Sequence, residues 1–446
     1  MLRRSAISLF LVLAALAADA RTRPHYGGTL HVEMEGDPWQ QPNGMARRLV
    51  LDGLTTMDAD SAVRPALATR WAAENENHRW QFWLRPGVRF SDGTALTSVA
   101  AVVALNASCS NACPWTALRA LGGSIVFTSE SPLPVLPALL ASDKYRIALT
   151  GGSPDAAGTL IGTGAFEAAG FANGTLKLAA NENCWQGRPF LDAIEIRVHR
   201  PVRDQWLDLN VGRADLVEVP AEQVRQAQQD HLRLLTSAAV TLLALEVSDA
   251  GPLSNPLLRS SISLAIDGNA LSNVIYQKQG EVTASLLPAS LSGYSFLFPS
   301  DRDLNKAREL RGGLSPRPLT LAFQGGPTMQ LAAQRIALNL HEAGLDVQVA
   351  AGSQRGDIVL RTLVVEGRDP QAALEGLLRS AGQPVPVMDS SSAALYKVER
   401  EFLDHKTLIP LLYLPRAYAV SGRVRDLGLD GQGFPDLADA SLEAAP

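Results

Sequence analysis

Residues 319 to 349 carry the pattern that most restricts the fold. Leu319 to Phe323 reads as a strand, and Pro327 to Ala343 runs at helical period with Leu331, Ile336 and Leu340 on its inward face. Gly344 closes that helix, and Leu345 to Val349 reads as a second strand. A strand, a helix and a strand at this spacing make a parallel crossover, which forces helices onto the faces of a sheet. Elements elsewhere follow suit. Thr29 to Glu33 and Trp80 to Leu84 alternate as strands, the latter ending at the bend Arg85-Pro86-Gly87. Thr97 or Ser98 can cap a helix over Val99 to Leu105, and Asn255-Pro256 opens another whose buried face is Leu257, Leu258, Ile262, Leu264 and Ala265. Asp357 to Val365 supplies a strand, Ala393 to Asp404 a helix and Ile409 to Leu414 a further strand. The class is α/β, with mixed sheets flanked by helices.

At 446 residues the chain has length for about two to four domains. Its formal charge of -5 excludes the overall basic footprint of a nucleic-acid binder. Compartment follows from the first 20 residues: Arg3 and Arg4, an apolar run from Leu9 to Ala18, then Ala18-Asp19-Ala20. This is the layout of a secretory signal segment cleaved after Ala20, its apolar run well short of the roughly 20 residues needed to cross a bilayer. No cysteine stands beside that point for lipid attachment, so the mature chain is expected to be soluble. Export permits disulfides, and Cys109 and Cys113 are close enough to bridge across a tight turn. Cys184 is left as a small buried hydrophobe.

The chemistry of an enzyme is not written in short motifs here. HExxH, GxSxG and a P-loop are absent, and Gly162-Thr163-Gly164 reads as a tight turn, with no third glycine opening a helix behind it. No histidine stands close to the cysteine pair as metal ligands would require. Neither a cofactor nor a metal site is expected.

A series of segments rises above this background. Tyr26-Gly27-Gly28-Thr29-Leu30, Pro65-Ala66-Leu67-Ala68 before Trp71, and Trp80-Gln81-Phe82-Trp83-Leu84-Arg85-Pro86-Gly87-Val88-Arg89-Phe90-Ser91-Asp92-Gly93 come first. Gly162-Thr163-Gly164-Ala165-Phe166, Asn183 with Trp185, Gly187-Arg188-Pro189-Phe190-Leu191-Asp192 and Gly212-Arg213-Ala214-Asp215-Leu216 follow, then Arg259, Ala265-Ile266-Asp267 and Ile409-Pro410-Leu411. In this order they resemble the extracellular solute-binding proteins of the dipeptide, oligopeptide and nickel family, over nearly the whole mature chain. The resemblance implies a two-lobed periplasmic-binding-protein fold of type II, in the large peptide-binder variant with an inserted subdomain. It divides the chain into a signal peptide (1–20), lobe 1 (21–50, 161–242 and 416–446), an inserted subdomain (51–160) and lobe 2 (243–415). Two strands would cross between lobes, near Thr241 to Val247 and Leu411 to Val420. Two departures, a short insertion after Thr97-Ser98-Val99-Ala100 and a short stretch from Ser380 to Ser391, imply a reduced cavity or a changed subdomain.

Site residues come from the same resemblance. Counting back three from Asp369-Pro370 gives Glu366 as the acid that would pair with a peptide ammonium, after a strand, Thr362, Leu363 and Val364, whose backbone would bind an added strand. Leu363 stands where peptide binders carry tryptophan. Glu35 and Trp39 lie in the loop matching the ligand-facing loop, and Tyr413 on the returning strand matches an aromatic facing the ligand. Two functions compete. One is a monomeric periplasmic receptor that hands a peptide or other small solute to an inner-membrane ABC permease. The other is an interaction or sensor protein that kept the fold without transport.

Overall fold

The computed structural model describes residues 24–39, 44–58, 62–109, 113–149, 160–314, 316–365, 369–383, 385–386, 388 and 390–443. The signal segment and Glu366 lie outside the described residues, as does the side chain of Cys109. Two strands of one eleven-stranded sheet serve both halves of the molecule. In chain order the strands are β1 (Thr29–Glu33), β2 (Phe166–Ala172), β3 (Thr175–Ala180), β4 (Ala193–Arg197), β5 (Leu216–Val219), β6 (Leu234–Val247), β7 (Glu281–Val282), β8 (Leu319–Phe323), β9 (Val347–Ala351), β10 (Ile358–Val364) and β11 (Leu408–Val420). They lie in the order β9-β8-β10-β6-β11-β5-β1-β4-β3-β2, with β7 beside β11.

The long antiparallel pair β6 and β11 runs from Leu234 opposite Ala419 to Glu246 opposite Leu408. At one end β11 pairs with β5, and at the other β6 pairs with β10. The register slips three times along the pair, from Thr236 to Ala239 and from Ala239 to Thr241 around Pro415, and again from Leu243 to Ala244 opposite Pro410. Proline donates no ladder hydrogen bond, so the ladder is interrupted where the chain passes between lobes.

Side-chain alternation builds the layers. On β6, Leu243 and Leu245 enter one lobe 2 core with Leu321, Ile336 and Leu340, whereas Leu242 and Ala244 enter a second core with Leu363, Leu374 and Leu395 on the opposite face. Lobe 1 is centred on Leu30, Val32, Leu178, Ile194 and Ile196. A separate four-stranded antiparallel sheet, ordered Ala68–Glu74, Arg79–Leu84, Ser124–Thr128 and Ala117–Leu121, carries its own core of Phe82, Trp115, Phe127 and Tyr145.

Five helices matter below: α1 (Ser98–Cys109), α2 (Pro256–Ala265), α3 (Pro327–Glu342), α4 (Pro370–Ser380) and α5 (Ser392–Asp404). Their caps are local chemistry: Thr97 Oγ1 accepts from Ala100 N–H, Asn255 from Leu257 and Ser391 from Ala394. The crossover is parallel as its pattern requires, Leu319 facing Val347. Its second strand begins two residues later than expected, because Leu345 N–H still bonds back to Leu340 and completes the helix end at Gly344, φ +84. Leu331 is 52% exposed rather than inward; Ala332, Ala333 and Ile336 take the inner face, which lets the helix lie close on the sheet. Leu257 is likewise 48% exposed, and Ser261 shares the buried face of α2 instead.

Several motif residues serve packing. A Cβ on Gly162 would lie 1.9 Å from Val50 O, so only glycine allows these two backbones to meet. Thr163 and Trp185 both donate to Asp52 Oδ2, at 2.9 and 2.8 Å. Asp215 is buried, salt-bridged to Arg423 at 2.5 Å, and accepts from His31 N–H. Cys113 is disulfide-bonded and Cys184 carries a free, half-buried thiol. Among the described residues no helix is long and apolar enough to cross a membrane.

Candidate functional site

A cavity of about 580 Å³ opens where β6 and β11 pass between the lobes. Thr241 from β6 and Leu414 to Tyr418 from β11 form its floor. One wall comes from lobe 1, with Glu35, Glu218 and Glu222; the other comes from lobe 2, with Tyr276, Thr362 and the start of α3. Cavities of this size and mixed lining, at a junction between domains, suit a small solute. A second cavity of about 540 Å³ is lined by lobe 2 alone, around Phe298, Tyr396 and Lys406, and no lobe 1 residue reaches it.

Strand ends and turns position the walls. Glu35 follows β1, and its backbone N–H donates to Glu218 Oε2 at 2.9 Å, so two acidic residues of neighbouring strands share this corner. Burial pushes the Glu218 carboxyl above its ordinary range, and the Glu35 charge adds to that, although the Glu35 N–H and Arg416 oppose it. Glu222 reaches across the gap and accepts from Thr328 Oγ1 on α3. Arg416 stacks on Phe434, 3.9 Å from the ring centroid, with Arg48 at the same distance from that ring. Tyr276, buried beside Glu222, has its hydroxyl pushed up by desolvation and then by that charge.

The residues singled out from sequence separate into groups. Glu35 and Thr362 stand on the cavity wall. Val364 is half-buried and pairs with Thr241. Leu363 points away from the cavity into the lobe 2 core. Tyr413 does not face a ligand: it is buried in that same core, and its hydroxyl donates to Leu286 O, which makes it a packing residue. Trp39 packs against the lobe 1 core beside the loop rather than on the cavity. Glu218, Glu222 and Thr241 were not foreseen. Glu218 is one of several polar residues in strand-like sequence, and only the pairing of β5 with β11 brings it to the crossing.

β10 has a further property. It pairs with β8 only from Ile358 to Leu360, so Arg361 to Val364 pair with β6 alone among the described strands.

The family model "Bacterial extracellular solute-binding proteins, family 5 Middle" matches residues 62–395. The peptide transport periplasmic protein SapA of Salmonella typhimurium is 23% identical over 50% of this chain and 44% of its own length, so the chain spans less than half of that relative. Probable di/tripeptide-binding protein 5 of Pseudomonas aeruginosa is 23% identical over 78% of this chain and 76% of its own. In structure, Haemophilus influenzae OppA in complex with RPPGFSPFR superposes with TM-score 0.81 at 16% identity, covering 94% of this chain and 100% of that one. The fold is therefore the two-lobed type II periplasmic-binding-protein fold.

Proposed function

The chain belongs to the bacterial extracellular solute-binding proteins of family 5, and on that premise we propose that it is the solute receptor of an ABC importer, closing two lobes over a peptide or similar small solute for delivery to an inner-membrane permease. One observation carries this reading: the 580 Å³ cavity takes its walls from both lobes and its floor from the strands joining them. A rotation about the slipped register near Ala239 and Pro415 would open and close it. Mass spectrometry of solute released from the freshly purified protein, with small-angle scattering before and after its return, tests this. A released solute that compacts the protein supports a receptor. An empty protein whose scattering does not change with any added solute counts against it.

For a peptide, the edge of β10 from Arg361 to Val364, which among the described strands pairs with β6 alone, offers backbone groups to an added strand. By the family resemblance, in which Glu366 matches through its spacing to Asp369-Pro370, Glu366 would pair with the ammonium. Glu366→Gln should then weaken peptide binding roughly thirtyfold or more, and N-acetylated peptide should bind weakly whether or not the mutation is present. We further infer that the protein works in the periplasm as a monomer whose mature chain starts near Arg21. N-terminal sequencing of the fractionated protein tests the start, and recovery of Met1 to Ala20 from membranes would overturn it.

A further inference from the structure

The second cavity, of about 540 Å³, lies wholly within lobe 2, so a molecule could be held there without any closure of the lobes. A gap beside the sheet creates it. β7 meets β11 only at Tyr413 and Leu412, so from Leu408 to Pro410 β11 pairs with β6 alone among the described strands. Leu408 to Leu411 form the floor of the cavity at that edge. One wall is α2, through Ser260, Ser263 and Leu264, and the other is α5, through Tyr396, Arg400 and Leu403.

Apolar surface and charge divide this lining. Phe298 and Tyr396 meet with ring centroids 5.3 Å apart, close to a floor on which Leu408, Ile409 and Leu411 are all buried. Four charged residues reach the cavity: Asp301, Arg400, Asp404 and Lys406. The first three are exposed, and Arg400 is bonded to the Tyr396 hydroxyl at 3.4 Å. Lys406 differs from them. It is half-buried, on a turn fixed by its N–H donating to Leu403 O, and its ammonium has no hydrogen-bond or ion-pair partner among the described residues. Burial pushes its pKa below the ordinary lysine range, opposed by the more distant Asp404 charge.

We propose that this cavity is a second solute site, separate from the cleft, for a small carboxylic acid with an apolar body. The carboxylate pairs with Lys406, and the body lies between Phe298, Tyr396 and the floor of β11. A half-buried ammonium has lost part of its water without gaining a counter-ion, so an added carboxylate is worth more there than beside the exposed charges, where solvent and salt screen it. The volume and the mixed lining suit a compact molecule of this kind. Since one lobe supplies every wall, occupation should leave the angle between the lobes unchanged, and the site does not depend on the receptor reading above.

Phenylpropionate, phenylpropanamide and phenylpropylamine are close in size and differ in the charge of one end. Titration calorimetry on the whole mature protein should place the acid first, over the amide by roughly tenfold or more, with no change in the small-angle scattering profile. Lys406→Met keeps the length of the side chain and should remove the preference for the acid. Ser263→Phe fills the cavity from α2 and should abolish binding of all three; should it fail to fold, Lys406→Met decides. If the amide or the amine binds as tightly as the acid, or if Lys406→Met keeps the preference, the proposal is overturned. Binding that survives Ser263→Phe, or that compacts the protein, puts the probe elsewhere and overturns it too. So does the absence of binding by any probe, and none of these outcomes counts against the receptor reading.

Discussion

Replacing Asp143 by asparagine should loosen the joint between the inserted subdomain and lobe 1. Asp143 is 5% exposed and lies 2.7 Å from Arg48 and 2.8 Å from Arg146. Burial by itself would raise its pKa, but the two guanidinium groups outweigh this and hold the carboxyl below its ordinary range. Arg48 is the structural link, since it also pairs with Asp430 and stacks on Phe434 near the C-terminus. Removing one partner of a buried pair typically costs ~3 to 5 kcal/mol, because the remaining charge is stranded. Arg48 keeps Asp430 and Arg146 keeps Leu51 O at 2.7 Å, so the lower end, about 3 kcal/mol, is expected. At roughly 2 to 4 °C per kcal/mol for a unit of this size, Tm at pH 7 should fall by about 6 to 12 °C. Since the folded pKa lies below the unfolded one, the stabilisation is complete above the usual Asp range and is lost as pH falls through the folded value. The gap between wild type and Asp143→Asn should therefore close below about pH 4, read by calorimetric melts across a pH series. A loss under about 1 kcal/mol at pH 7, or a gap that persists in acid, would refute the reasoning.

Glu399 behaves in the opposite sense. Burial in lobe 2 raises its pKa despite bonds from Ser285, Leu286 N–H and Tyr294, so its contribution is complete in acid and is lost as pH rises through the folded value. Glu399→Gln should flatten that dependence at little cost near neutrality, while Glu399→Ala should cost about 1 to 3 kcal/mol by leaving Leu286 N–H and the Tyr294 hydroxyl without their acceptor, as melts at pH 5 and 8 will report. Glycine sites should split by space. Gly162→Ala should destabilise by at least about 1 to 3 kcal/mol, since its Cβ meets Val50 O, whereas Gly376→Ala, in mid-helix with nothing within 4 Å, should stabilise by about 0.4 to 1 kcal/mol in denaturant titration.

Local chemistry made much of this protein legible in its sequence. Caps at Thr97 and Asn255, the glycine ending α3, and the alternation in β1 depend on neighbours a few residues apart, so the pattern alone fixes them. The ordered motifs likewise pointed to the family, and in this chain Gly162, Asp215 and Trp185 are each held by a specific packing or pairing contact. Which polar residues share a cavity was decided elsewhere. Glu35, Glu218, Glu222 and Thr362 are separated by up to 327 positions, and meet only because β6 and β11 carry two lobes against one another. Tyr413 shows the same limit from the other side: alternation places it on a strand, but which face of that strand is core depends on the helices packed against it. Long-range pairing supplies that information, and no local period encodes it.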